Sequence, residues 1–115
     1  MSQYRFEDSI AWQKAQMLSV LVYRLFRESR DFSFRDQIQR AAVSVSNNIA
    51  EGFERTTLQE TKYFMGIAKG SCGEVRSMSY IACKLEYITN KEQAEIQLLS
   101  DEISKLIYSF LSKRA

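Results

Sequence analysis

The stretch that decides the fold is FSFRDQIQRAAVSVSNNIAEGFER, residues 32–55. Phe34, Ile38, Ala41, Val45 and Ile49 recur at steps of three and four, the period of one face of an α-helix. Its last ten residues, SNNIAEGFER, are an unusual end for a packing helix, with two asparagines, a glutamate, a glycine and an arginine. Ser33 followed three residues later by Asp36 has the pattern of a helix N-cap, and Gly52 marks a place where the helix can end or bend.

The same period extends to both sides. Ala11, Ala15, Leu18, Val22 and Leu25 form an apolar stripe, widened by Ile10, Met17, Leu21 and Phe26. Thr57 with Glu60 opens a long third helix whose inward positions are Phe64, Ala68, Ser71, Val75, Met78, Ala82 and Leu85. Thr89 with Glu92 opens a fourth, with Ile96, Leu99, Ile103, Leu106 and Phe110 at the 3, 4, 3, 4 steps of left-handed helix packing. The spacing predicts helices over about 9–28, 33–53, 57–88 and 91–113. Short connections make sequential helices antiparallel, so the expected fold is all-α, a single up-down antiparallel four-helix bundle over residues 1–115.

Composition agrees with that reading. The chain has 115 residues, no Pro and four Gly, far from the turn-rich content of an all-β fold. Apolar residues make up 45% and charged residues 26%, ordinary values for a folded domain. No apolar run reaches the roughly 20 residues of a membrane span, and the N-terminus lacks the plan of a signal peptide, so a cytoplasmic location is expected. The formal charge is only +2, so net charge alone gives little pull on nucleic acid.

Chemistry is excluded more firmly than it is indicated. The chain has no His, which removes the commonest general base and most nucleophile triads. Cys72 and Cys83 are eleven residues apart on one predicted helix, roughly 16 Å along its axis, too far for a disulfide. No metal-ligand spacing and no phosphate-binding glycine loop is present, so neither an enzyme nor a cofactor is expected.

Two polar patterns remain. On helix two, Arg40, Ser44, Asn47, Glu51 and Arg55 fall on one side, readable as a solvated face, a hydrogen-bonded seam against another subunit, or a ligand site. On helix three, Lys62, Gly66, Lys69, Gly73, Arg76, Tyr80 and Lys84 lie along one line, placed opposite the expected apolar stripe. That line reads as a solvent face or as a grip for a nucleic-acid backbone, with cations meeting phosphates beside bare glycines. Glu60 and Glu74 fall nearer the apolar side and are expected to need a partner such as Arg40 or Lys14.

The segments WQKA (12–15), QIQRAAVSVSNNIAEGFER (37–55) and FMGIAKGSCGEV (64–75) together resemble the four-helix-bundle proteins encoded in intervening sequences of bacterial 23S ribosomal RNA genes. The spacing RAAxSxxxNIAEGxxR followed by IAxGSxxE carries the resemblance over nearly the whole chain. It implies an up-down bundle that assembles as a homopentamer. A related branch, the accessory proteins of diversity-generating retroelements, binds nucleic acid and a reverse transcriptase. The family's polar positions carry over to Arg40, Ser44, Asn48, Glu51, Gly52, Arg55, Ser71 and Glu74, with Trp12 and Lys14 in the first helix, and Arg40, Ser44, Asn48, Glu51, Arg55, Ser71 and Glu74 are expected to form a structural or oligomer seam. Family members often carry Pro before helix two and within the SxxxN stretch, where this chain has RESRDF and Ser46. The expected function is a non-enzymatic oligomeric bundle that binds RNA or DNA through basic helix faces. The alternative is a protein–protein scaffold without nucleic-acid binding. Asn48, Glu51 and Arg55 are expected to form a structural joint at the end of helix two, with Arg55 bridging carboxylates of helix three or of a neighbouring subunit.

Overall fold

A computed structural model describes residues 5–113. After a short 3-10 turn at Phe6–Asp8 come α1 (Ile10–Leu25), α2 (Phe32–Phe53), α3 (Leu58–Lys84) and α4 (Asn90–Ser112). Each helix packs against two neighbours in the cyclic order α1, α2, α3, α4 and back to α1, with no diagonal packing. The result is the up-down antiparallel bundle, 49 × 21 × 20 Å.

Side-chain acceptors start every helix. Ser9 Oγ accepts from Trp12 N (3.3 Å), Asp31 Oδ1 from Phe34 N (3.2 Å), Thr57 Oγ1 from Glu60 N (3.1 Å) and Thr89 Oγ1 from Glu92 N (3.1 Å). At Thr89 the box is reciprocal, because Glu92 Oε1 accepts from Thr89 N at 2.9 Å. The cap of α2 is therefore Asp31 rather than Ser33. Asp31 also accepts from the Tyr87 hydroxyl at 2.7 Å, so one carboxylate ties the α1–α2 turn to the α3–α4 turn. The bonds from Tyr87 and from Phe34 N hold that carboxyl below the usual carboxylate range.

Two helices are shorter than their apolar pattern. α1 ends at Leu25 because Phe26 leaves the helix to bury its ring at the bundle's end, beside Phe34 at 5.9 Å between centroids. α3 ends at Lys84, where Tyr87 N bonds Ala82 O (2.8 Å) and Glu86 N bonds Cys83 O (3.0 Å). These are the paired bonds of a Schellman terminus, whose left-handed position is usually Gly. Here it is Glu86, at φ 63°.

The core runs along the bundle axis through Leu18 and Val22 of α1, Ile38, Val45 and Ile49 of α2, Ala68, Cys72 and Val75 of α3, and Ile96, Ile103 and Ile107 of α4. α3 is turned relative to its expected face: Met65, Cys72 and Ser79 are buried, while Phe64 and Ser71 are half-buried and Leu85 is exposed. At about 100° per residue, that moves the centre of its buried face by roughly 50° toward the basic line. Ile10, Met17 and Leu106 are likewise exposed rather than inward. Of the polar side chains in the core, Gln93 Nε2 donates to Ser79 Oγ (3.2 Å) and Ser79 Oγ donates to Arg76 O (2.6 Å), whereas the buried Ser100 Oγ has no hydrogen-bond partner among the described residues.

Gly52 does not end α2. The helix continues through Phe53, and no glycine has positive φ. Its role is steric: a Cβ there would lie 3.2 Å from Thr61 O and 3.3 Å from Met65 Cε. Thr61 Oγ1 donates to Gly52 O at 2.9 Å across the same approach. Gly66, Gly70 and Gly73 are the opposite case, since a Cβ at any of them meets nothing within 4 Å. Each costs α3 about 0.5–1 kcal/mol relative to Ala. Gly52→Val should therefore destabilise by about 1–3 kcal/mol, and Gly70→Ala should stabilise by about 0.5–1 kcal/mol. Urea unfolding followed by circular dichroism separates the two signs.

Candidate nucleic-acid interface

The polar positions of α2 divide into groups with different partners. Ser44 and Ser71 hydroxyls meet at 2.9 Å across the α2–α3 contact, and Asn48 Nδ2 donates to Ser44 O (2.8 Å) and Ser44 Oγ (2.9 Å). This half-buried seam is satisfied within the chain. The Asn48 amide is engaged inside α2, not at a helix end. Glu51 and Arg55 pair with each other, and the Arg55 guanidinium sits 4.9 Å from the centre of the Phe64 ring. Glu74 accepts from Gln37 Nε2 at 3.2 Å. Glu74 and Glu60 are both exposed, and Lys14 pairs instead with Glu102 of α4 at 3.2 Å. Arg40 forms no ion pair among the described residues. It lines an open groove with Tyr23, Asp36, Gln39 and Asn47.

The basic line of α3 is not a free outward face. Because α3 is turned, Lys62, Lys69 and Arg76 lie on its flank toward α4 and are half-buried. Arg76 Nη1 pairs with Asp101 Oδ1 at 2.7 Å, and Lys62 Nζ donates to Lys113 O at 2.9 Å. Between these two links Lys69, Ser104, Lys105 and Tyr108 line a groove of about 340 Å³. Tyr80 and Lys84 lie beyond the Arg76–Asp101 link, exposed toward the far end of α3. An Arg76→Glu change would therefore set a carboxylate against Asp101, so it disturbs packing as well as surface charge.

Lys105 and Tyr108 were not legible in α3 alone. Their signal is on α4, where Asp101, Ser104, Lys105 and Tyr108 recur at three- and four-residue steps beside the apolar stripe. Among the described residues no group of three His, Cys, Asp or Glu side chains is placed to hold a metal ion, and no helix is long and apolar enough to cross a membrane. Cys72 is buried, its Sγ 3.2 Å from Ser100 O, and burial pushes its thiol up to about 11.

An all-α bundle with short connections, an internally bonded serine–asparagine seam and a basic groove between α3 and α4 defines a small helical-bundle class. The family model of the 23S rRNA-intervening sequence protein matches residues 7–109. The chain belongs to that family. No curated protein sequence matches it significantly. Among solved structures, a protein of unknown function from the S23 ribosomal protein family of Bacteroides thetaiotaomicron VPI-5482 superimposes with a TM-score of 0.85. That match has 24% identity and covers 90% of this chain and 100% of the other, which establishes the shared fold.

Arg55 is only partly buried and has local partners, so the large penalty of a broken buried ion pair does not apply. Arg55→Ala should cost about 1 kcal/mol, the sum of an i, i+4 pair and a ring contact, measured by thermal melting. Cys72 should resist alkylation at pH 8 in the native protein and react once urea unfolds it, which mass spectrometry of the labelled peptide reads directly.

Proposed function

We propose that this chain is a non-enzymatic, homo-oligomeric cytoplasmic bundle that binds nucleic acid, RNA in the first place, through the basic flank of α3 and the adjoining face of α4. The observation that carries this reading is the pair Lys69 and Lys105: they face one groove from two helices, and neither belongs to an ion pair among the described residues. Unpaired cations held on rigid helices can neutralise phosphates at little ordering cost. A protomer charge of +2 is small, but five copies, the number the family resemblance implies, give about +10 and repeat the groove five times for binding by avidity.

A second reading rests on a different surface. Between α1 and α4, the side chains of Met17, Val20 and Leu98 are exposed at 56%, 48% and 63%. They line a groove of about 680 Å³ bordered by Lys14, Arg24, Glu95 and Glu102. An exposed apolar floor with a charged rim is a contact surface for protein. It supports assembly of copies, and by itself it supports a scaffold that binds no nucleic acid.

Fluorescence anisotropy with mixed-sequence RNA and DNA oligonucleotides distinguishes the readings. Binding at about 50 mM salt should weaken steeply toward 200 mM, and the double variant Lys69→Glu, Lys105→Glu should lose it while light scattering still reports the wild-type assembly. Absence of binding at low salt, or binding without a salt slope, sinks the nucleic-acid reading and leaves the scaffold.

A further inference from the structure

We infer that the α3–α4 groove is built for a single strand of nucleic acid rather than for a duplex, with Tyr108 as a stacking platform for one base. This inference rests on the nucleic-acid reading above and narrows it to one ligand class.

The groove has two closed ends and an open middle. The Arg76–Asp101 pair spans it at one end, at 2.7 Å, and the Lys62 contact to the Lys113 carbonyl spans it at the other, at 2.9 Å. Between them Lys69 comes from α3, and Ser104, Lys105 and Tyr108 come from α4. From Lys62 to Arg76 is fourteen residues, about 21 Å of helix, long enough to follow several nucleotides of backbone. Its width is set by helix packing, whose axes lie about 8–10 Å apart. A duplex carries its phosphates on a convex surface too broad to enter such a furrow, and its bases are stacked out of reach of a side chain on the floor. A single strand can lie along the lysines and turn a base outward.

Tyr108 is the residue that makes this specific. It is 62% exposed, and it sits three residues after Lys105, on the same side of α4. An aromatic face beside cations is the recurring arrangement of single-strand binding, in which the ring stacks a base and the cations track the backbone. The surface of α3 on the outer side of Lys69 is also bare. Gly66 and Gly73 lie one turn to either side of Lys69, and a Cβ at either would meet nothing within 4 Å. No intramolecular contact accounts for these two helix-weakening residues, and their bare backbone lets a sugar–phosphate chain come close to the Lys69 ammonium.

The test compares a fluorescein-labelled fifteen-nucleotide oligouridine with an RNA hairpin of comparable stem length, at about 50 mM salt, on the wild-type assembly and on Tyr108→Ala, Tyr108→Phe and Lys105→Glu. The expected result is tighter binding of oligouridine than of the hairpin. Tyr108→Ala should weaken oligouridine roughly 5- to 100-fold, the range for losing one stacked base, and leave hairpin affinity and the salt slope unchanged. Tyr108→Phe should keep wild-type affinity, because the ring and not the hydroxyl does the stacking. Lys105→Glu should weaken both ligands and flatten the salt slope. Equal or tighter hairpin binding overturns the single-strand assignment, as does an unchanged Tyr108→Ala alongside a weakened Lys105→Glu, and in both cases nucleic-acid binding itself stands. Failure of both ligands to bind overturns the broader reading together with this one. Because Tyr108 is exposed, circular dichroism and light scattering of its variants should match wild type.

Discussion

At Gly52 the backbones of α2 and α3 come close enough that a single methyl group would lie 3.2 Å from the Thr61 carbonyl oxygen. The contact is tied by the Thr61 hydroxyl bond to the Gly52 carbonyl, and two turns back along α2 the hydroxyls of Ser44 and Ser71 meet across the same interface. Together these contacts set the separation and rotation of the two helices. The rotation of α3 then decides everything on its far side. It brings Cys72 and Ser79 into the core, it puts Arg76 opposite Asp101, and it turns Lys69 into a groove shared with α4 instead of leaving it on an outward face. Packed interiors are dense enough that a small change at such an approach is transmitted rather than absorbed.

Much of this was readable from local chemistry. The helical period and the caps at Thr57 and Thr89 depend on residues three and four apart, so they survive translation from sequence to fold. Ser33 failed as a cap because Asp31 has a second partner, the Tyr87 hydroxyl, that no local window contains. The end of α3 failed because its left-handed position is Glu86, where glycine would have been the signal. The apolar pattern does not settle the face of α3, because Phe64, Met65, Ser71 and Cys72 offer two overlapping stripes, and tertiary contacts such as the approach at Gly52 accompany the one that buries Met65 and Cys72. For the candidate site, Lys62, Lys69 and Arg76 were visible as a line on one helix. Lys105 and Tyr108 were not, since the groove exists only when two helices distant in sequence are adjacent.

The polar stretch QRAAVSVSNNIAEGFER, residues 39–55, is mostly engaged in holding α2 to itself and to α3. Ser44 and Asn48 bond within the chain, Glu51 and Arg55 satisfy each other, and Gly52 makes room for α3. A surface that binds a ligand must retain unsatisfied groups; outside this stretch Lys69 and Lys105 lie beside Tyr108, and within it Arg40 and Asn47 line the groove beside Tyr23. The side chains that hold α2 in place and those that line the α3–α4 groove are therefore separate sets.

The seam between α1 and α4 has a further meaning. It joins the two helices farthest apart along the chain, it has the least extensive packing of the four helix contacts, and its ion pair, Lys14 with Glu102, is partly open to water. Opening it leaves the α2–α3 hairpin intact while uncovering Leu18, Ile96 and Ile103, which are otherwise fully buried. Local unfolding follows the lowest density of buried contacts, so the ring of helices has a built-in parting line, lying directly beneath the exposed Met17, Val20 and Leu98. A neighbour seated on those side chains would brace the monomer across its weakest join, and the lone protomer would then breathe more than the assembled one.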